Sequence, residues 1–317
     1  MNNESKSIIM HNPDNKEIEA LSGEIFTTSV SVQQACSQNY SEQGLSENND
    51  IVKICENTYN RGKVYFRKNR CILFQGDALD SNSFDKEFID LIVTSPRYNL
   101  DIKYHSNDDD LTYDEYLEFS EKWITNCFNW SKPEARFLLN IPLDINKGGQ
   151  KSVGADITKI AQSIGWKYHS TIIWNEGNIS RRTAWGSWLS ASAPYVIAPV
   201  ELIVVLYKDS WKKTGGTRIS DINKEEFMEW TNGLWTFNGE SKKRIGHPAP
   251  FPIQLPYRAI KLFSFVKDIV FDPFAGSGTT LISAVNNDRI AVGLVIDPKY
   301  CELARKRIIN ETDWLEF

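Results

Sequence analysis

One short turn constrains the fold of this chain more than any other feature. The apolar run at residues 268–271 leads into the turn DPFAGSGTT, and a helical run follows at 281–286. Gly276 and Gly278 allow the backbone to approach a ligand closely, and the first N–H groups of the helix can bind an anion such as a carboxylate. A turn with two glycines is equally compatible with a plain strand-to-helix connection. Leu281 stands where a dinucleotide-type GxGxxG turn would have its third glycine.

Alternating strands and helices around this turn predict a mostly parallel sheet with helices on its faces. Apolar runs indicate strands at 71–79, 88–94, 135–141, 168–174, 201–207 and 290–296. Helical spacing indicates helices at 114–130, 155–164, 256–265 and 298–310. Between residues 177 and 245, periodicity is weak apart from the strand at 201–207, so this segment is interpreted as an insert.

A second polar sequence follows the strand at 88–94 and reads Thr94-Ser95-Pro96-Arg97-Tyr98-Asn99. It places a hydroxyl, a backbone carbonyl and an aromatic ring directly after a buried strand. By itself such a sequence marks a plain turn more often than an active site. Its occurrence together with DPFAGSGTT favours the functional interpretation.

The two sequences resemble the paired motifs of DNA methyltransferases that act on amino groups. DPFAGSGTT resembles their S-adenosyl-L-methionine loop, and Ser95-Pro96-Arg97-Tyr98 resembles their SPPY motif in the serine variant usual for cytosine-N4 enzymes. Adenine-N6 enzymes usually have Asp or Asn at the position of Ser95. The order of the motifs, with an insert between them, resembles the beta group. The resemblance covers about residues 70–317 and includes Gly76-Asp77-Ala78 and the segment 247–252.

The resemblance implies a Rossmann-like α/β methyltransferase fold, with a mostly parallel seven-stranded sheet that is circularly permuted. Its expected segments are a catalytic half at 61–176, a target-recognition insert at 177–245 and a cofactor-binding half at 246–317. The implied cofactor is S-adenosyl-L-methionine and the implied substrate is double-stranded DNA. A role beside a restriction endonuclease, without required physical contact, is implied as well.

The resemblance also implies roles for single residues. Ser95 and the Pro96 carbonyl would accept the hydrogens of the target amino group, and Tyr98 would stack on the flipped cytosine. The amino nitrogen attacks directly, so no covalent enzyme intermediate is expected. The expected cofactor contacts are Asp77, Phe251, Asp272, Phe274, Gly276, Gly278, Thr279 and Asp297. The expected DNA contacts are Arg97, Arg181, Arg182, Trp185 and Trp188.

Two positions depart from the family pattern. Arg97 replaces the second proline, which removes a fixed backbone angle and restores an N–H donor, and its side chain either contacts DNA or points to solvent. Val295 stands where the family usually has an acid for the ribose hydroxyls. Because side chains alternate along a strand, Asp297 is the candidate substitute. An adenine-N6 enzyme, or a weakly active or inactive DNA-binding relative, therefore stays an alternative.

The charge of the chain is unevenly distributed. Residues 1–60 contain three Lys, no Arg and nine acidic residues, whereas the whole chain has a net charge of only -5. This acidic segment is predicted to be a mobile extension. The predicted insert has ten basic and seven acidic residues and five of the ten tryptophans, which suits a surface that faces DNA. Trp230 and Trp235 are expected in the core of the insert.

The five cysteines are dispersed and form no CxxC pair, and there are only four histidines. This pattern predicts no metal site, and reduced thiols in a cytoplasmic protein. The first residues lack the apolar stretch of a secretory signal, and no later run approaches roughly 18 apolar residues, so no membrane association is expected. Both a monomer and a homodimer are compatible with the sequence.

Overall fold

A nine-stranded mixed sheet organises the part of the chain that the computed structural model describes, which is residues 59–60, 63–84, 87–99, 111–147, 149–177, 186–196, 200–240, 245 and 251–312. Its spatial strand order is β1-β2-β11-β10-β3-β4-β8-β7-β9. These strands are β1 (Lys63–Lys68), β2 (Cys71–Gln75), β3 (Ile89–Thr94), β4 (Ser131–Pro142), β7 (Lys167–Glu176), β8 (Val200–Tyr207), β9 (Leu234–Phe237), β10 (Ile269–Asp272) and β11 (Ile290–Val295). A separate two-stranded hairpin consists of β5 (Ile145–Asn146) and β6 (Gln150–Lys151). The predicted extension lies almost entirely outside the described residues.

The central strands β2, β11, β10, β3 and β4 are all parallel, which confirms the predicted mostly parallel α/β sheet. Alternate residues of β2 enter opposite cores, with Ile72 and Phe74 on one face and Cys71 and Leu73 on the other. Since both faces are covered, these strands form continuous apolar runs in the sequence. The edge strands β1 and β9 extend the seven expected strands to nine.

Six helices flank the sheet in the described residues: α1 (Tyr113–Trp130), α2 (Val153–Ile164), α3 (Lys224–Trp230), α4 (Gln254–Phe263), α5 (Thr279–Asn286) and α6 (Pro298–Glu311). Helices α1 and α2 cover one face, where Trp123 and Ile157 are buried, and α4, α5 and α6 cover the other. Helix α1 begins at a capping box in which Thr112 and Glu115 bind each other's backbone N–H. No helix in the described ranges is long and apolar enough to cross a membrane.

Described parts of the segment 177–245 belong to the main sheet, and the role of this segment as a target-recognition insert stays a prediction. Strand β8 lies inside the main sheet, antiparallel to both β4 and β7. Strand β9 pairs with β7, and α3 is joined to α4 by an ion pair between Glu226 and Lys261. Trp230 and Trp235 are buried as expected, but in a core that they share with the sheet. An apolar run predicts burial without identifying the neighbouring strands, which is why the sequence did not show that β8 pairs inside the main sheet.

Ion pairs attach the residues after β8 to the amino ends of the strands. Lys213 Nζ lies 2.9 Å from Asp268 Oδ2, and Arg218 binds the same carboxylate. The buried Arg289 makes two hydrogen bonds to Asp221, of 2.7 and 2.8 Å. Lys213 and Arg218 were expected to contribute to a basic surface facing DNA. They instead neutralise a buried carboxylate at the edge opposite the carboxyl ends of the strands.

Replacing Lys213 by Met should destabilise the fold by about 3 kcal/mol, because it leaves the buried Asp268 carboxylate with less compensating charge. Lys132→Met is the matched control, since Lys132 pairs with Asp90 at 2.8 Å while its side chain is 40% exposed, against 2% for Lys213. We expect a loss below about 1 kcal/mol for this control. Urea unfolding measures both losses, and equal values would contradict the assignment of Lys213 as a buried structural partner.

Candidate active site

The predicted motifs meet at the carboxyl edge of the parallel strands. Ser95 directly follows β3, and Phe274 follows the neighbouring strand β10 by two residues. Asp77 follows β2 by two residues, and Asp297 follows β11 by two residues. The last residues of these strands, Gln75 and Val295, are paired in the sheet. The fold therefore brings Asp77, Ser95, Phe274 and Asp297, which are far apart in the sequence, to one edge of the sheet.

Asp272 connects the two motifs through its carboxylate. Its Oδ1 accepts hydrogen bonds from Thr94 Oγ1 at 2.7 Å and from the Phe274 backbone N–H at 3.0 Å, and its Oδ2 accepts one from Thr280 Oγ1 at 2.7 Å. Burial raises the pKa of Asp272 to about 6, although these three donors favour the charged form. The side chain is fully buried, and its predicted contact with a cofactor stays a prediction. Through its three hydrogen bonds Asp272 fixes β3 against the turn and α5.

The turn between β10 and α5 has the backbone geometry expected from its glycines. Gly276 has φ of 50° and Gly278 has φ of 83°, both in the left-handed region that favours glycine. Phe274 and Gly276 are the only partly exposed residues of the described turn 272–280, so the open side of the turn lies there. Phe274 also packs its ring edge against Trp123, with ring centres 5.2 Å apart.

Thr279 faces α6 and not the open side of the turn. Arg307 Nη1 donates to Thr279 Oγ1 at 3.0 Å, and to Ser277 O and Ser277 Oγ at 2.9 Å each. The Thr279 side chain thus supports the turn, and the cofactor contact predicted for this residue stays a prediction. Arg307 was missed because only the folded chain brings α6 beside residues 277–279.

Asp297 is used as the N-cap of α6, where Oδ1 accepts a hydrogen bond from the Lys299 backbone N–H at 2.8 Å. The residue is only 5% exposed and caps the helix, and its predicted contact with a ribose stays a prediction. Asp77 is the more exposed carboxylate at this edge, and its Oδ1 accepts from the Leu79 N–H at 2.9 Å. Phe251, another predicted cofactor contact, is partly buried against the core on the α4 side.

Four polar side chains form a hydrogen-bonded group, called here the Ser95 cluster: Ser95, Tyr98, Asn140 and Glu201. The Tyr98 hydroxyl donates to Glu201 Oε2 at 2.9 Å and lies 2.6 Å from Ser95 Oγ. Asn140 Nδ2 donates to the Tyr98 hydroxyl and to Glu201 Oε2, both at 2.7 Å. Because the single Tyr98 proton goes to Glu201, Ser95 Oγ must be the donor to Tyr98. The Ser95 oxygen therefore keeps its lone pairs for further hydrogens, apart from a long 3.4 Å contact with Asn140.

Burial and the nearby Glu201 carboxylate raise the pKa of Tyr98 well above its ordinary value, so Tyr98 stays a neutral donor. Asn140 lies on β4 and Glu201 near the start of β8, and both were missed in the sequence. Each is a polar residue near one end of an apolar strand, which was the available signal. The adjacency of β4 and β8, which only the fold reveals, brings them to Tyr98.

Arg97 packs against α1. Its guanidinium carbon lies 4.3 Å from the ring centre of Phe119 on α1, and the Tyr116 hydroxyl donates to its backbone carbonyl at 3.0 Å. The Phe119 ring in turn lies 6.0 Å from that of Phe274. Arg97 thus anchors the segment after β3 to α1, and its predicted contact with DNA stays a prediction.

The remaining DNA contacts predicted from the sequence are only partly described. Arg181, Arg182 and Trp185 lie outside the described residues. Trp188 is 69% exposed and follows β7 in the chain. Since β7 runs parallel to β4, its carboxyl end lies at the same edge as the Ser95 cluster.

Comparison with known proteins gives consistent matches. Residues 89–306 match the family model N6_N4_Mtase, described as DNA methylase. The Type II methyltransferase M.MjaVI of Methanocaldococcus jannaschii is 58% identical over 183 residues, which cover 58% of this chain and 93% of the relative. The structure of TTHA0409 from Thermus thermophilus, complexed with S-adenosyl-L-methionine, superposes with a TM-score of 0.60 at 27% identity, covering 76% of this chain and 93% of that one.

The fold is also similar to that of the PvuII DNA methyltransferase (cytosine-N4-specific). The TM-score is 0.60 at 18% identity, and the match covers 79% of this chain and 96% of that one. At this identity the likeness concerns the fold alone.

The raised pKa of Asp272 predicts a specific pH dependence of stability. The folded protein binds this proton more tightly than the unfolded chain, so its stabilising contribution is fully present below about pH 4 and lost as the pH rises through about 6. As the pH rises across this range, we expect the free energy of unfolding of the wild type to fall by about 3 kcal/mol relative to that of Asp272→Asn, because the variant lacks the titrating group. Urea unfolding of both proteins between these pH values measures the difference, and a difference that does not change with pH would contradict the assignment.

Proposed function

Because the chain belongs to the N6_N4 family of DNA methylases, which use S-adenosyl-L-methionine, we propose that it methylates the exocyclic N4 of a flipped cytosine in duplex DNA. The Ser95 cluster carries this proposal. Its Ser95 oxygen has unused lone pairs and lies directly after β3. Asp272 holds that strand against the turn 272–280, called here the cofactor turn because we propose that the cofactor binds there. The serine at position 95, in place of Asp or Asn, supports cytosine over adenine.

The turn and its neighbours fit the proposed cofactor. Gly276 exposes backbone at a positive φ, and the first N–H groups of α5 suit a carboxylate. Asp77 offers a partly exposed carboxylate for hydroxyl groups, and Phe274 and Phe251 offer partly exposed apolar rings. We propose that these residues hold S-adenosyl-L-methionine, which supplies the methyl group when it is bound.

Ser95 and the Pro96 carbonyl orient the target amino group. When both oxygens accept its hydrogens, the nitrogen lone pair turns out of conjugation with the ring and toward the methyl donor. With the methyl donor bound, the new N–C bond would form from this lone pair while the C–S bond of the donor breaks, so the positive charge would pass from the donor sulfur to the nitrogen. The Tyr98 hydroxyl is held by three neighbours, which fixes the ring on which the base stacks.

The cationic nitrogen then loses a proton through the Ser95 cluster. The proton passes to Ser95 Oγ, the Ser95 proton to Tyr98, and the Tyr98 proton to Glu201, along hydrogen bonds of 2.6 and 2.9 Å. The negative charge of Glu201 also stabilises the positive charge while it develops. Asn140 holds Tyr98 and Glu201 in this arrangement through its amide group.

The organisation of the chain supports further parts of the proposal. The catalytic strand β3 precedes the cofactor turn after β10, which is the order of a circularly permuted methyltransferase domain. We propose that target recognition depends on the segment between β7 and β8, where Arg181, Arg182, Trp185 and Trp188 lie. We also propose that the protein acts in the cytoplasm and protects DNA from a companion endonuclease. It does so without required physical contact with that enzyme.

Incubation with unmodified DNA and labelled methyl donor, followed by digestion to nucleosides, tests the reaction. We expect label in N4-methylcytosine. Recovery of only N6-methyladenine would favour the adenine-N6 alternative, and absence of label would favour an inactive DNA-binding relative. Ser95→Ala should remove most of the label while leaving the thermal unfolding temperature unchanged, because the Ser95 side chain is only partly buried.

Glu201→Gln should lower kcat by about a hundredfold, because the terminal proton acceptor and its charge are lost. Glu225→Gln is the matched control, since Glu225 is exposed on α3, away from the cluster. Steady-state kinetics on unmethylated DNA that contains the target site should show little change in KM for Glu201→Gln. A loss confined to KM, or an equal loss in the control, would refute the proposed role of Glu201.

A further inference from the structure

The described residues 186–196, called here the β7–β8 loop, are held in a defined shape by their own hydrogen bonds. The backbone N–H of Ser187 donates to Ala193 O at 2.8 Å, and the N–H of Ala193 donates to Ser187 Oγ at 2.8 Å. Ser187 Oγ donates to Ser190 O at 2.6 Å, and Ser190 Oγ to Ser192 Oγ at 3.0 Å. The loop is therefore internally braced without a core of its own.

The tip of this loop is apolar and exposed. Leu189 is 90% exposed, and the adjacent Trp188 is 69% exposed. Leu189 also has φ of 52°, a conformation that a bulky side chain rarely adopts. A left-handed backbone at such a residue is unfavourable, and strained backbone conformations cluster at functional sites.

The β7–β8 loop lies close to the Ser95 cluster along the chain and in the fold. It connects to the carboxyl end of β7 and leads to β8, in which Glu201 is the second residue. Tyr195 OH accepts a hydrogen bond from Gln150 Nε2 at 3.1 Å, which ties the loop to the hairpin that follows β4. The exposed tip is thus attached to the edge that receives the target base.

The charge around the tip suits DNA. Residues 177–200 contain two Arg and no Asp, Glu or Lys, so no acidic side chain of this segment opposes a phosphate backbone. Proteins that distort duplexes commonly insert an apolar side chain such as Leu between base pairs. The combination favours a base stack over an apolar protein surface as the partner of the tip.

We propose that Leu189, next to Trp188, inserts into the duplex and fills the space that the extruded base leaves. This inference rests on the proposed base-flipping reaction and assigns it a residue. The inserted side chain offsets part of the cost of unstacking, so the flipped state is populated more often. Internal bracing of the loop reduces the ordering cost on insertion.

Leu189→Asn tests the proposal with the full-length protein. Asn tolerates a positive φ better than Leu, so the variant removes the apolar group without adding backbone strain. The target site is first mapped with the wild type. On an unmethylated duplex that contains this site, kcat/KM of the variant should fall about tenfold. On the same duplex with the target base mispaired, activity should return to within about twofold of wild type, because a mispaired base is easier to extrude.

Val196→Asn is the matched control, since Val196 is 79% exposed in the same loop but away from the tip. It should behave as wild type on both duplexes, and thermal unfolding of both variants checks that the fold is kept. Wild-type activity of Leu189→Asn on the paired duplex, or an equal loss on both duplexes, would overturn the insertion while leaving the proposed methylation intact. Failure of the wild type to label any DNA would instead overturn the proposed function, and the insertion with it.

Discussion

The carboxylate of Asp272 is the interaction on which the arrangement of the site depends. It is buried at the end of β10 and accepts one hydrogen bond from a hydroxyl of β3, one from a hydroxyl of α5 and one from an N–H of the turn. A buried charge of this kind is costly unless each acceptor is satisfied, so the three donors must stay in place together. The distance between the cofactor turn and the Ser95 cluster is fixed as a result.

The sequence predicted the parallel core well, because its strands are covered on both faces and form uninterrupted apolar runs. It also identified the turn around Gly276 and the motif at Ser95, since these features are local. It could not show the contacts that a distant neighbour adds. The side chains of Thr279 and Asp297 are of types that suit ligand contacts, and in the fold Arg307 and the start of α6 engage them. A residue type does not specify the direction in which its side chain points.

The same limit explains the two missed members of the Ser95 cluster. Asn140 and Glu201 acquire meaning only because β4 and β8 pair side by side. Likewise, Lys213 and Arg218 add to a basic surplus in the sequence, while the fold uses both to neutralise Asp268. Counting charges by segment therefore overestimated the basic surface of this region.

The pairing of β7 with β8 has a consequence for how such proteins diversify. Asn175 and Val200 are opposite each other in the sheet, so the segment between them starts and ends at fixed, adjacent points. For a loop closed in this way, doubling its length costs only about 0.6 kcal/mol. Insertions, deletions and exchanges can accumulate there while the sheet that carries the Ser95 cluster stays intact. Under the proposed role of this segment in target recognition, evolution can change the recognised site independently of the proposed chemistry.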